Sequence, residues 1–346
     1  MTEAATKPEV RTTRTRQSGR LDFIATAIDA IHHGAGTSGN TSLLRTQEIT
    51  TPDGEEVRVP FVSGNSIKHM IRQAGVEYSL AAMSVSDGTL SKSVVDLLFS
   101  GGHLSKSSAS INLSRARQIA ELFPMLGVCG YSAGNYMAHS KLAVDNVHLV
   151  CAENLFRLPT IARDTPQAKQ RASMFRGEDF GTRHEATRSP HVARLLTDGA
   201  RLALEGRVSD ALAAAVEHGE STAKDVESTQ MIYEFQVIKP GAVMFGGLNY
   251  RDLNGLELAA LKAALSQACH GQVGEGLVYH LGAKSSIGLG RVAIKWSGSI
   301  RGIVAPQMSD DLSLVPANGP EWDTAYAAHL QEHRDEILQA LAEAAG

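Results

Sequence analysis

The sequence predicts an α+β fold, because strand and helix patterns follow one another near both ends of the chain. Alternating residues 21–31 and a hairpin over 43–62, with its turn at 52–54, precede a helix that begins near residue 65. A second series contains strands 231–238 and 242–250, helix 256–269, and strands 277–281 and 290–296. The simplest architecture that uses both series is a ferredoxin-like (RRM-like) βαββαβ core interrupted by a large insertion.

The remaining segments follow from composition and apolar spacing. Residues 1–19 are polar and rich in Thr and Arg, which predicts a flexible basic arm. We expect two or three helices between 78 and 120, a strand over 144–158, a polar surface insertion over 162–190 and a helix over 192–217. A tail helix from about residue 321 carries an apolar stripe and should dock on the body or on a neighbour; the stripe consists of Trp322, Tyr326, Leu330, Ile337 and Leu341.

Composition excludes several classes of protein. A chain of 346 residues with 43% hydrophobic content can bury a sizeable core. No run approaches the roughly 18 apolar residues of a membrane span, and no signal-peptide pattern opens the sequence, so a cytoplasmic location is expected. The scattered Cys129, Cys151 and Cys269 do not form a metal or redox pair and are expected to be reduced core residues.

The net charge of −4 conceals an uneven distribution. Residues 303–346 hold eight acidic residues and one basic residue, a balance of −7, which leaves +3 for residues 1–302. Residues 157–201 contain nine Lys or Arg against five acidic residues. A basic face, and with it an anionic partner, is therefore compatible with the sequence.

The first candidate site is the segment PFVSGNSIKHMIR, residues 60–72. A strand end leads through small polar residues into a helix capped by Asn65 or Ser66, with Lys68 and Arg72 on one helix face. Backbone N–H groups, hydroxyls and the helix dipole would converge on an anion such as phosphate. The predicted contacts are Ser63, Gly64, Asn65, Ser66, Lys68, His69 and Arg72. The alternative is an ordinary capped helix with solvated bases.

The second candidate site is the glycine-rich segment GAKSSIGLGRV, residues 282–292. Glycine lets a backbone approach a ligand closely, and the polar side chains supply donors suited to phosphate or a 2′-hydroxyl. The predicted contacts are Lys284, Ser285, Ser286 and Arg291. The alternative is a glycine-rich turn before a core strand.

The two segments in this order resemble the RAMP superfamily of CRISPR-associated proteins. The resemblance is carried by P-x-x-SG-x-S-x-K-x-x-x-R in residues 60–72 and S-x-G-x-GRV in residues 286–292, and more loosely by the whole of 231–296. Within that superfamily the chain is most similar to the backbone subunit of a class 1 CRISPR effector complex, in its type IV version.

This resemblance implies a hand-like division of the chain. Residues 20–75 and 230–300 would form the palm, 76–140 a helical fingers insertion, 160–229 a thumb with associated helices, and 303–346 an acidic tail with a C-terminal helix. It implies binding to guide RNA (crRNA), head-to-tail contact with further copies, cap and small subunits as partners, and target nucleic acid paired with the guide. No membrane, metal or cofactor is implied.

The basic segment would serve the thumb as a strap over the RNA backbone. Its predicted contacts are Arg163, Lys169, Arg171, Arg176, Arg183 and Arg188. Acidic residues are interleaved with them, so a solvated mixed-charge loop is the alternative. In type III relatives an aspartate after the first strand cuts target RNA, but residues 37–49 contain no Asp. The chain is therefore expected not to be an enzyme.

Two enzymatic alternatives stay open at this point. His32 and His33, which we also count as RNA contacts, have the side chain that metal-independent RNA-processing endonucleases use as general acid and base. Adjacent strand residues point to opposite faces, however, which disfavours joint action on one phosphate. The loop GAGTSG, residues 34–39, matches the glycine fingerprint of nucleotide-cofactor enzymes, but the turn at 52–54 leaves no room for the helix that must follow.

Overall fold

The computed structural model describes residues 16–102, 113–134, 136–183, 231–297, 307–308, 314–315 and 320–345. The fold is α+β with largely antiparallel sheets, as predicted. The chain divides into two compact units. The larger unit comprises Met1–His33, Arg45–Arg176 and Ile238–Gly346, and the smaller unit comprises Gly34–Leu44 and Gly177–Val237.

The strands are short except in the centre of the main sheet. In chain order they are β1 (Gln17–Ala27), β2 (Gly34–Ser38), β3 (Thr41–Leu44), β4 (Thr46–Thr50), β5 (Glu56–Val62), β6 (Tyr131–Ala133), β7 (Tyr136–Ala138), β8 (Leu142–Val144), β9 (Val147–Leu149), β10 (Arg176–Arg183), β11 (Met231–Ile238), β12 (Val243–Leu253), β13 (Gln272–Val273), β14 (Gly276–His280), β15 (Arg291–Ser297), β16 (Gln307–Met308) and β17 (Leu314–Val315).

The helices within the described residues are α1 (Gly64–Ala82), α2 (Lys92–Val95), α3 (Leu113–Leu122), α4 (Pro124–Cys129), α5 (Thr160–Arg163), α6 (Gly255–Gln267), α7 (Pro320–Glu332) and α8 (Arg334–Ala345). A π-helical turn, Asp96–Ser100, extends α2. Short 3₁₀ turns cover Ala152–Arg157, Pro166–Lys169, Ala172–Phe175 and Ser285–Ile287.

The main sheet has nine strands in the order β13-β14-β15-β1-β12-β9-β5-β4, with β8 also paired to β12. The long strands β1 and β12 are antiparallel, and Phe23 lies opposite Gly246 on one side and Trp296 on the other. β1 spans Gln17–Ala27 rather than the predicted 21–31, because its early residues extend the ladder with β12 as far as Leu253. The hairpin β4–β5 and the strands of the last third lie close to their predicted positions.

One face of this sheet is covered by the 3₁₀ turns of residues 152–175. Ile24, Val243 and Phe245 pack with Leu158 and Ala168 in one buried cluster. The structure differs here from two predictions: residues 144–158 are not one strand, and residues 162–175 are not a polar surface insertion. Three buried alanines let these tight turns lie flat on the sheet: Ala162, Ala168 and Ala172. Their spacing has neither helix nor strand periodicity.

Helix α1 packs against α6, and glycine sets the distance between them. A Cβ atom on Gly75 would lie 3.0 Å from the Cβ of Ala264 and 2.5 Å from the sulfur of Met125. Any larger residue would push the helices apart, so Gly75 serves close helix approach rather than flexibility. In α6, Asn254 and Glu257 form a reciprocal capping box, and Lys141 donates to both carboxylate oxygens of Glu257 at 2.7 and 2.8 Å.

The C-terminal helices α7 and α8 are bound to the body of the larger unit. Tyr326 is fully buried and stacks on Tyr78 of α1 with ring centroids 5.9 Å apart. The Ser79 hydroxyl donates to Gly75 O at 2.6 Å, so the Tyr326 hydroxyl donates to Ser79 Oγ at 2.8 Å. The predicted stripe is buried at Tyr326, Leu330, Ile337 and Leu341, although the predicted single helix is divided at His333.

The smaller unit contains a four-stranded sheet in the order β10-β11-β3-β2. Its one parallel pair is β3 with β11, and Gly181 leaves room for the ring of Tyr233, which would lie 2.3 Å from a Cβ atom there. Phe180 is 64% exposed. No helix in the described part of the chain is long and apolar enough to cross a membrane.

Candidate functional site

The two predicted segments meet at His32 and His33. The backbone N–H of Ala283 donates to His32 O at 2.7 Å, which joins the glycine-rich segment to the end of the first strand region. The backbone N–H of Ser63 donates to His33 Nε2 at 3.1 Å. This hydrogen bond joins the start of α1 to His33, the residue after His32. We call this arrangement of His32, His33, the start of α1 and loop 282–290 the junction.

The two histidines have structural contacts at the junction. His32 is buried, and His33 is half-buried with its ring edge-on to Phe61 at 6.3 Å between centroids. Burial, together with the nearby charges of Arg45 and His32, lowers the pKa of His33 to about 4. A neutral ring whose Nε2 accepts a backbone hydrogen bond is poorly suited to proton transfer near pH 7, so the endonuclease alternative is not favoured.

The amide groups at the start of α1 are largely satisfied by the protein itself. Ser63, rather than Asn65 or Ser66, is the N-cap, and Ser66 N donates to Ser63 O at 3.0 Å. Gly64 N donates to Asn146 Oδ1 at 3.0 Å, and Gly64 lies so close to the β8–β9 loop that a Cβ atom would be 2.1 Å from Val144 O. The predicted set of phosphate-binding amides is therefore smaller than the sequence pattern indicated.

Arg72 has a structural contact as well as a charge. Its Nη2 donates to Cys129 O at 2.9 Å and to Gly130 O at 2.7 Å, which ties α1 to the end of α4. Its Nη1 is buried without a hydrogen-bond partner among the described residues. Burial lowers the pKa of Arg72, but a guanidinium group remains protonated in proteins.

Lys68 lies one turn before Arg72, and neither cation forms an ion pair within the described residues. Burial lowers the pKa of Lys68, and the neighbouring charge of Arg72 acts in the same direction. His69 is exposed beside them. Among the described residues these two partly desolvated cations have no carboxylate partner, so an anion from outside the protein would stabilise their charged forms.

The glycine-rich loop lies beside the histidines but is largely neutralised. Arg291 forms an ion pair and hydrogen bonds with Asp29, which raises the pKa of Arg291 and lowers that of Asp29. Ser285 and Ser286 are exposed in a 3₁₀ turn, and Lys284 precedes them with φ of 66°. The loop thus presents hydroxyls and one lysine rather than the full basic set that was predicted.

The predicted thumb residues Arg163, Lys169, Arg171 and Arg176 belong to the larger unit and have contacts or positions outside the junction. Arg163 Nε donates to Leu158 O at 2.5 Å, and Arg176 donates to Arg58 O. Lys169 and Arg171 are exposed in the turns that cover the sheet. Arg183 ends strand β10, and Arg188 lies outside the described residues, as does the helix predicted over 192–217.

Two residues that the sequence did not single out belong to the junction. Asn146 accepts the Gly64 amide, and Arg45, whose N–H donates to His33 O at 2.7 Å, brings a further positive charge near His33. Asn146 lies in a tight strand-to-strand loop, and only the three-dimensional pairing of β8 and β9 with the sheet reveals its role. Neither position carries a motif of its own.

The loop GAGTSG forms the hairpin of β2 and β3, with positive φ at Gly36 and Gly39. Strands β3, β4 and β5, rather than a helix, come directly after it, so the nucleotide-cofactor alternative is not favoured. No cluster of three or more His, Cys, Asp or Glu within the described residues is arranged to hold a metal ion.

The fold and the junction define an α+β protein in which a capped helix carries two cations, Lys68 and Arg72, that have no ion-pair partner within the described part of the chain. No protein-family model and no curated protein match the sequence. Among solved structures, a chain of a structure named "Type IV-B CRISPR Complex" matches with a TM-score of 0.50 and 18% sequence identity, covering 84% of this chain and 96% of that chain. The predicted resemblance to a type IV subunit is therefore confirmed at the level of the fold.

A second structural match is weaker. The structure named "Crystal structure of Thermofilum pendens Csc2" matches with a TM-score of 0.35 and 12% identity, over 98% of this chain and 84% of that chain. A likeness of this size supports no argument about fold or function.

Proposed function

We propose that this chain is a non-catalytic backbone subunit of a type IV CRISPR effector complex, which binds guide RNA and repeats head to tail along it. The observation that carries the proposal is the junction, where two segments far apart in sequence meet, together with Lys68 and Arg72, which lie one and two turns along α1 from its start. Its support from outside the molecule is the fold shared with a chain of a type IV-B CRISPR complex.

The chemistry of the junction favours a phosphate backbone over a base as the ligand. Lys68, Arg72 and the half-buried Lys284 supply positive charge, while Ser285 and Ser286 supply exposed hydroxyls. Such groups recognise phosphate and ribose, which every nucleotide carries. Binding would be independent of base sequence and steeply salt-dependent, and the guide bases would remain available to pair with a target.

The strand order supports the finer part of the proposal, a ferredoxin-like palm. Four strands lie in the order β15-β1-β12-β9, each antiparallel to the next. Helix α1 precedes β9 and helix α6 follows β12, as in a βαββαβ unit whose second and third strands flank an insertion. The proposal also includes a helical fingers insertion over residues 76–140 and a thumb over residues 160–229.

Repetition along RNA requires a heterologous contact, in which one surface of a copy meets a different surface of the next. Such a contact does not close on itself, so the number of copies follows the length of the RNA. The proposed partners are the guide RNA, further copies, cap and small subunits, and target nucleic acid that pairs with the guide. The proposal places the complex in the cytoplasm and includes no metal, cofactor or membrane.

Purification of the full chain from cells, followed by nucleic-acid extraction and measurement of particle size before and after ribonuclease, tests the proposal. We expect bound RNA, particles larger than one copy, and a shift to smaller particles after digestion. Reconstitution on RNAs of increasing length should give particles of increasing mass. An RNA-free monomer at low salt would overturn the proposal.

The matched pair Lys68→Glu and Lys92→Glu separates the junction from general charge. Lys92 is exposed and already paired with Asp96, whereas Lys68 has no such partner among the described residues. Lys68→Glu is expected to reduce RNA loading at least tenfold and Lys92→Glu to change it little. Equal losses in both variants would assign binding to net charge rather than to the junction.

A further inference from the structure

An apolar groove in the larger unit has two cations at its rim. It encloses about 480 Å³ between the β4–β5 turn and the 3₁₀ turns of residues 152–169. Its walls are Pro52, Leu155, Phe156 and Ala168, and its rim carries Arg163 and Lys169. Phe156 is 46% exposed, so part of its ring is accessible to a partner.

The smaller unit presents a side-chain pair of complementary chemistry. Phe180 is 64% exposed on β10, and the exposed Glu178 lies two residues earlier on the same strand. Residues two apart on a strand share a face and stand about 7 Å apart. Asp179, on the other face, accepts from Phe180 N at 2.8 Å and so holds the strand locally. The result is an aromatic ring with a carboxylate beside it.

We propose that Phe180 of one copy inserts into the groove of the next copy, with Glu178 pairing with Lys169 and Arg163. This inference rests on the proposed function, because it names the surfaces of the head-to-tail contact. A buried aromatic anchor with an ion pair at its rim is the usual core of a specific interface. The two surfaces differ, so the contact is heterologous and propagates as an open chain of copies.

The groove fits a protein side chain better than a nucleobase. The guanidinium of Arg157 lies over the Phe156 ring, 6.0 Å from its centroid, so one ring face is already occupied. Base stacking needs an open aromatic face, whereas edge-on insertion of a phenyl ring does not. Arg163 uses one donor on Leu158 O, and a guanidinium has five N–H donors in all.

Cross-linking of the full RNA-loaded chain tests the contact. Cysteines are placed beside the contact so that Phe156 and Phe180 are kept: Asp53→Cys next to the groove and Asp179→Cys next to Phe180 are made singly and together, and each is treated with a bismaleimide. The native Cys129 and Cys151 are buried, and the parent chain controls for Cys269. A mixture of the two single variants should give covalent dimers only, and the double variant should give a ladder of higher multimers. Asp53→Cys with Val273→Cys, also at an exposed position, should give neither.

Charge exchange supplies a second, independent readout. Lys169→Glu and Glu178→Lys are each expected to reduce particle mass several-fold, and the double exchange should restore it. If RNA-loaded multimers persist without a cross-link or charge rescue, this contact is wrong while the proposed function stands. An RNA-free monomer would instead overturn the proposed function itself. Photochemical cross-linking of RNA to Phe156 would assign the groove to nucleic acid and overturn the inference.

Discussion

The start of α1 and the loop 282–290 contact adjacent histidines, His33 and His32 respectively, but differ in how their charges are satisfied. In the loop region, Arg291 is exposed and paired with Asp29. At α1, the half-buried Arg72 donates to backbone carbonyls, and no described carboxylate forms an ion pair with it or with Lys68. An arginine is therefore neutralised by an ion pair in one segment and keeps a charge that no described carboxylate compensates in the other. Only the surrounding residues distinguish the two cases.

This difference indicates which of the cations can contribute to binding an anion. A cation that is already paired gains little from an external anion, whereas an unpaired and partly desolvated cation gains more. The α1 side should therefore dominate RNA affinity, and the loop should contribute mainly shape and hydroxyl groups. Four measurements can break or sharpen this comparison, beginning with the largest expected effect.

The glycines of the two segments should respond differently to alanine. Gly64→Ala would place a Cβ atom 2.1 Å from Val144 O and 2.8 Å from Asp145 O, so the helix start must move, and we expect a loss of about 3 kcal/mol in the free energy of unfolding. Gly288→Ala meets no atom within 4 Å but has φ of +86°, so a loss of about 1 kcal/mol is expected. Urea denaturation measures both, and equal losses would contradict the steric explanation.

Substitution of Arg72 should destabilise the protein more than substitution of Arg291. Arg72→Met removes hydrogen bonds to Cys129 O and Gly130 O, and we expect a loss of about 2 kcal/mol in stability. Arg291→Met, the matched control, breaks an exposed ion pair and should leave the thermal midpoint almost unchanged. A greater loss in Arg291→Met than in Arg72→Met would reverse the assignment of structural and surface roles.

The salt dependence of RNA binding distinguishes the two sides by charge. Lys68→Ala should reduce the slope of log K against log salt concentration by about 0.7, the value for one phosphate contact on a single strand. Arg291→Ala should change the slope less, because Asp29 already neutralises that guanidinium. Fluorescence anisotropy with a labelled RNA measures both slopes. An unchanged slope in Lys68→Ala would remove Lys68 from the interface.

Acidification should weaken the junction through His33, and this is the smallest of the four effects. The pKa of folded His33 is about 4, below the unfolded value of about 6.5, so the unfolded state binds the proton between these values. Stability is full above pH 6.5 and falls as the pH drops towards 4, by an amount that partial solvent exposure reduces. His33→Gln should flatten this dependence in thermal melts at several pH values.

The flattening should be partial, because a second histidine responds in the same range. Burial, with the nearby charge of Arg157, lowers the pKa of His148 to about 4 as well. His33→Gln keeps an acceptor for the Ser63 amide while removing one titrating group. A pH dependence identical to that of the parent chain would show that His33 does not link protonation to stability.

The spacing of apolar residues predicted those helices and strands that bury one continuous apolar face. The hairpin β4–β5, helix α1, and the series β11, β12, α6, β14 and β15 all lie near their predicted positions. It failed over residues 144–175, where short strands and 3₁₀ turns are held by packing on Val243 and Phe245. The apolar residues there follow no single period, so only the sheet beneath them explains their conformation.

The site was predictable in its parts and not in its connections. The helix start, the glycine-rich turn and the positions of Lys68 and Arg72 follow from local pattern. The N-cap at Ser63 and the role of His33 as an acceptor depend on contacts between segments distant in the sequence. A motif indicates which residues come close to a site, but it does not indicate which of their groups are already occupied.

Because Tyr326 is buried against Ser79, helix α1 packs against residues that are synthesised much later than α1 itself. Helices α7 and α8 leave the ribosome after every element that they cover, so Tyr78 and Ser79 on α1 lack their final neighbours while the chain is still being made. The helix that carries Lys68 and Arg72 is thus completed by late-synthesised residues. The packing of α1 is therefore incomplete until Tyr326 has been synthesised.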